Sequence, residues 1–121
     1  MRVLLDHSVP RGLRTVLAGV EVRHAFEMGW HELRNGDLLR AAEQDGFDVL
    51  VTSDKNIRHQ IRLGGLRIAI LELGTNHWPT LRGSIGLILE TLGLVTSGSY
   101  HEVAVERPSR RRRPPPVRPE T

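Results

Sequence analysis

Asp6, Asp37 and Asp54 are the residues of this sequence best placed to do chemistry. Asp54 closes the run Val49-Leu50-Val51-Thr52-Ser53-Asp54, and Asp6 closes Arg2-Val3-Leu4-Leu5-Asp6. An apolar, β-branched run that stops on a carboxylate reads as a buried strand delivering an acid to a sheet edge. Ligands of open α/β sheets bind beyond the carboxyl ends of such strands. Asp37 follows Asn35-Gly36 at the opening of a helix-periodic stretch. Each acid alone has a plain structural reading: a cap or turn residue for Asp6 and Asp54, and a charge complementing the helix dipole for Asp37. As a set, carboxylates in a chain without cysteine are hard oxygen ligands suited to Mg²⁺ or Mn²⁺. A cation held this way activates water and neutralises charge on a scissile phosphate. The three aspartates are therefore the candidate catalytic and metal-binding residues.

The neighbours of Asp54 could serve a polyanionic substrate. Asn56 could hold a metal-bound water or a phosphate, or simply cap a helix. Lys55, the only lysine, and Arg58, His59 and Arg62 could contact an RNA backbone, with His59 a general-acid candidate. The plain alternative for each is a solvated surface charge.

Positioning these side chains requires strands alternating with helices. Strands are expected at 2–5, 20–23, 49–52, 67–71 and 100–105, the fourth with Glu72 just past its core. The first helix is expected to run from a Ser8 cap, with Pro10 in its first turn, to Gly19. The second opens at Asn35-Gly36-Asp37 and stops at Gly46. A short third carries Ile57 and Ile61 as far as Gly64-Gly65. A fourth, capped by Asn76 or Thr80, carries Leu81, Ile85, Ile88, Leu89 and Leu92 to Gly93. Residues 26–33 fit no element. Regular βα alternation with short loops predicts an α/β fold with a mainly parallel five-stranded sheet and helices on both faces. If strand three lies beside strand one, with strand two on its other side, Asp6 and Asp54 emerge together on strands about 4.8 Å apart.

A chain of 121 residues builds a single core, so one domain over 1–106 is expected. Its charge is unevenly placed: residues 107–121 hold six Arg against one Glu, whereas residues 1–106 hold 11 Lys/Arg against 13 Asp/Glu. The body is thus slightly acidic, and the basic pI belongs to an Arg/Pro-rich tail expected to be disordered. No broad basic nucleic-acid face follows from the pI. No apolar run is long enough for a bilayer and no signal-peptide pattern opens the chain, so a cytoplasmic protein without a membrane partner is expected. Aromatics are 4% of the chain, which argues against sequence-specific base stacking. Trp30 and Trp78 read as core or homodimer contacts.

Asp6 after strand one, Asp37 opening Asp37-Leu38-Leu39-Arg40-Ala41-Ala42, and the Thr52-Ser53-Asp54 strand end together resemble PIN-domain ribonucleases. The resemblance is closer to a family of short PIN-like proteins of uncharacterised function. It is carried by Leu4-Leu5-Asp6-His7-Ser8-Val9-Pro10, the Gly29-Trp30 to Asn35-Gly36 region and the stretch from Val49 to Asn56. Covering about residues 1–105, it implies a three-layer α/β/α sandwich and metal-dependent cleavage of RNA, with the chain as toxin of a toxin–antitoxin pair and an antitoxin protein as partner. It also implies a further acid between Asp6 and Asp37, for which Glu27 and Glu32 are the available residues. Two other classes compete. One is a PIN-like binding module without catalysis. The other is a receiver-like phosphoacceptor at Asp54, which wants paired acids after strand one and a lysine after the last strand; this chain has neither.

Overall fold

The computed structural model describes residues 1–57 and 67–103. Five strands, β1 (Arg2–Leu5), β2 (Glu21–His24), β3 (Val49–Thr52), β4 (Ala69–Leu73) and β5 (Tyr100–Val103), form one sheet in the order β2-β1-β3-β4-β5. Every pairing is parallel. The described residues also form four helices: α1 (Leu13–Val16), α2 (Asn35–Gln44), α3 (Trp78–Arg82) and α4 (Ile85–Leu92). The expected third helix beyond Ile57, the residues Arg58, His59 and Arg62, the last two residues of the expected fifth strand, and the tail lie outside the described residues.

Strand alternation divides the core into two clusters. Val3, Leu5, Val49, Val51, Ala69, Leu71 and Leu73 pack with α1, α3 and α4 through Leu13, Leu81, Ile88 and Leu92. On the other face, Leu4, Leu50 and Ile70 pack with Leu38, Leu39 and Ala42 of α2, and with Ile57. Strands β3 and β4 are buried along their whole length, which explains why their sequences read as unbroken apolar runs.

Several boundaries differ from expectation, each for a local reason. The first helix shrinks to four residues because Ser8 does not cap it; its amide and hydroxyl turn back to Asp6 instead. The long fourth helix divides into α3 and α4 at Gly83-Ser84, where the Ser84 hydroxyl donates to the Thr80 carbonyl at 3.0 Å. Strand β2 extends to His24. Strand β4 is shifted toward the carboxyl side, so Glu72 lies within it. Helix α2 ends as the glycine pattern requires. Gly46 (φ 88°) donates to Glu43, and Phe47 donates to Ala42 at 2.9 Å, a Schellman turn that reverses the chain into β3.

Candidate functional site

Because β1 lies between β2 and β3, the winding direction changes between β1 and β3, the place where α/β sheets open a crevice. The pairing of Leu5 with Val51 puts Asp6 opposite Thr52, and Thr52 in turn pairs with Glu72. These side chains share the sheet face that carries α2.

Asp6 is 8% exposed and its carboxylate is held from both sides. The Ser8 amide (2.9 Å) and hydroxyl (2.6 Å) donate to Oδ1, and the fully buried Thr52 hydroxyl donates to Oδ2. The Thr52 oxygen also accepts the Asp54 backbone amide at 3.0 Å, so a single hydroxyl links the Asp6 carboxylate to the main chain at Asp54. Ser8 braces the same corner: its hydroxyl accepts the Ser53 amide at 3.0 Å, and its carbonyl accepts the Ser53 hydroxyl at 3.3 Å. Asp54 is half-buried; its Oδ1 accepts the Asn56 amide at 2.9 Å. A carboxylate oxygen has two lone pairs, so Oδ2 of each acid retains capacity among the described residues. Asn56 and Lys55 are exposed beside it.

Asp37 stands apart from this pair. It opens α2 at the same end of the sheet, but its side chain is 65% exposed and ion-paired with Arg40 one turn on. Among the described residues, no three His, Asp or Glu side chains converge as a metal-binding group. Of the two acids available between Asp6 and Asp37, Glu27 is spent on structure. Its Oε1 accepts the His24 amide (2.9 Å) and the Arg14 guanidinium (2.7 Å), and these bonds, the amide foremost, lower its pKa. Glu32 is exposed.

Sequence reasoning missed the hydroxyl ties, because which Ser and Thr face an acid depends on strand register. It placed Glu72 just past the fourth strand and did not count it among the candidate acids, whereas it is buried within β4 with the Tyr100 hydroxyl donating to Oε1. The signal was available: Ile68-Ala69-Ile70-Leu71-Glu72 is another apolar run that ends on an acid.

A second group adjoins Asp6 through His7. The His7 ring meets the Phe26 ring edge-on with centroids 5.5 Å apart. His7 Nε2 donates to the Leu33 carbonyl at 3.0 Å, while its buried Nδ1 has no partner among the described residues. His24 Nε2 donates to the Val9 carbonyl at 2.8 Å and Nδ1 accepts the Phe26 amide, an arrangement for a neutral ring. Burial, the largest influence, lowers its pKa. The cleft of ≈ 610 Å³ at the opposite end of the sheet does not compete as a site. Its acids are occupied: Glu43 accepts the Arg67 and Ile68 amides, and Asp48 accepts the Arg2 amide.

Comparisons with family models, with curated proteins and with solved structures find no match. Among the described residues no helix is long and apolar enough to cross a membrane.

Proposed function

We propose that this chain is a divalent-metal-dependent ribonuclease of PIN type whose cation is held by Asp6 and Asp54. The observation that carries the reading is the Thr52 hydroxyl, which links the Asp6 carboxylate to the backbone amide of Asp54 at the carboxyl ends of adjacent parallel strands. The donor set suits Mg²⁺ or Mn²⁺: two carboxylates flanked by hydroxyls, no sulfur, and oxygen lone pairs left open. Mg²⁺ is commonly held by one or two carboxylates, with water and substrate phosphate completing its shell. When bound, the cation supplies water activation and charge neutralisation on the phosphate. The chain's own contribution is positional. The Ser8 and Thr52 donors fix Asp6, the Asn56 amide fixes Asp54, and exposed Lys55 and Asn56 offer donors to a substrate phosphate. Asp37 contributes through its place at the start of α2 and joins the pair only by leaving Arg40. The toxin role and an antitoxin partner rest on the sequence resemblance.

The separation of Asp37 favours a second reading, a PIN-like module that binds without cleaving. Cleavage of a mixed pool of structured and single-stranded RNAs separates the two, comparing wild type with Asp54→Asn in Mg²⁺, in Mn²⁺ and with chelator. Metal-dependent cleavage lost in the variant supports the nuclease. No cleavage by folded wild type supports the binding module. Equal cleavage by both proteins would refute the assignment to Asp54.

A further inference from the structure

We infer that two copies of this chain associate through the exposed face of α4, packing antiparallel about a twofold axis at Gly86. The inference goes beyond the ribonuclease reading and does not depend on it. Helix α4 reads Ile85-Gly86-Leu87-Ile88-Leu89-Glu90-Thr91-Leu92. Ile88 and Leu92 fill the core, and Ile85 and Leu89 are partly buried against it. Leu87 remains 43% exposed, and Leu94, just past the helix, is 66% exposed. The Leu94 amide donates to the Thr91 carbonyl at 2.9 Å, so the chain keeps turning beyond α4. Leu87 and Leu94 are two helical turns apart and so share one face, where Glu90 and Gly86 are also exposed. A helix that is apolar nearly all round belongs in an interior, yet this side of α4 faces water.

The charges beside this face single out a second copy as its occupant. Arg82, the last residue of α3, and Glu90 are both exposed, and neither forms an ion pair among the described residues. They stand at equal separation in the chain on either side of Gly86. A twofold axis at Gly86 therefore sets Arg82 of one protomer against Glu90 of its partner, twice over. The surface is complementary to itself, as an isologous dimer requires. Gly86 has no other explanation in the fold. Its φ is not positive and a Cβ there would meet nothing within 4 Å, although glycine is less favourable than alanine inside a helix. A second helix crossing at this point uses the missing side chain, because the two axes can then approach to the short end of the usual range of about 8–10 Å. Helix α4 lies on the sheet face opposite α2, so pairing leaves the corner of Asp6 and Asp54 open in each copy. One helix face from each protomer is a small interface, and association is expected at micromolar rather than nanomolar concentration.

Sedimentation velocity of the full-length, nucleic-acid-free protein across the micromolar range tests this. Wild type should pass from monomer to dimer and no further, since a closed twofold contact cannot propagate. Gly86→Gln and Leu87→Gln should remain monomeric. Because both positions are exposed, their thermal unfolding at low concentration should match or exceed that of wild type, which separates lost association from lost folding. The charge pairs give the sharper result. Arg82→Glu and Glu90→Arg should each weaken self-association about tenfold or more, because each sets like charges face to face at two places. Mixed together, the two variants should associate with each other, since one protomer then offers two acids and its partner two bases. The double variant Arg82→Glu/Glu90→Arg should dimerise again on its own. A wild type that stays monomeric, a dimer that survives both Gly86→Gln and Leu87→Gln, open-ended assembly, or a mixture that associates no better than its separate components would each overturn the interface.

Discussion

Thr52→Val should be the most costly isosteric change in the molecule. Threonine and valine have nearly the same shape, so packing at this fully buried position is preserved and only the hydroxyl is lost. That hydroxyl makes two bonds, one donated to Oδ2 of Asp6 and one accepted from the Asp54 amide. A hydrogen bond to a charged group contributes about 1.5–3 kcal/mol, and an amide left without its partner costs on the order of 1 kcal/mol more. The variant should therefore lose about 2–4 kcal/mol, a large share of the roughly 5–15 kcal/mol that holds a domain of this size together. Equilibrium urea denaturation at neutral pH would show a lower midpoint with an unchanged slope. Thr91→Val is the matched control, because that hydroxyl bonds only to the Leu87 carbonyl of its own helix. A loss below about 0.5 kcal/mol in Thr52→Val, within the range of ordinary surface substitutions, would refute the claim that this hydroxyl holds the two acids in place.

Three further outcomes follow from the same geometry. Gly12→Ala should destabilise by about 1–3 kcal/mol in thermal unfolding, since a Cβ there would lie 2.7 Å from Cζ2 of Trp78 although its backbone suits any residue. His24 has a folded pKa below its ordinary value, so the unfolded chain binds the extra proton first; stability is full above about pH 6.5 and falls as pH drops toward the folded pKa, by at most about 1.4 kcal/mol per pH unit. His24→Gln should flatten that slope in denaturation curves taken across the window. In RNA cleavage, Asp37→Asn should lose less activity than Asp6→Asn or Asp54→Asn, because Asp37 is exposed and paired with Arg40.

The sheet was legible in the sequence because its central strands are buried on both faces and leave unbroken apolar runs. Those runs and the winding rule gave a parallel α/β sheet, but the β2-β1-β3 order, and with it the emergence of Asp6 and Asp54 on adjacent strands, entered only as a condition that the structure meets. Local hydrogen-bond competition was not legible. Ser8 has the residue type of a helix cap, and only the folded register shows its hydroxyl committed to Asp6. Ser84 likewise interrupts a helix whose apolar spacing runs on unbroken from Leu81 to Leu92. The clustering of His7, His24 and His31 around Phe26 was not legible because residues 26–33 follow no period, and the rings are brought together by turns. Asp37 was legible as a helix-opening acid, but its pairing with Arg40, three residues on, depends on rotamers that spacing does not specify.

The account turns on Asp6 and Asp54 acting as one cation-holding pair, and Mn²⁺ binding followed by electron paramagnetic resonance tests this without any RNA. Wild type should bind Mn²⁺ at a single site, Asp6→Asn and Asp54→Asn should each abolish or severely weaken binding, and Asp37→Asn should retain it. Undiminished Mn²⁺ binding in folded Asp6→Asn or Asp54→Asn protein would contradict the pair and the ribonuclease built on it.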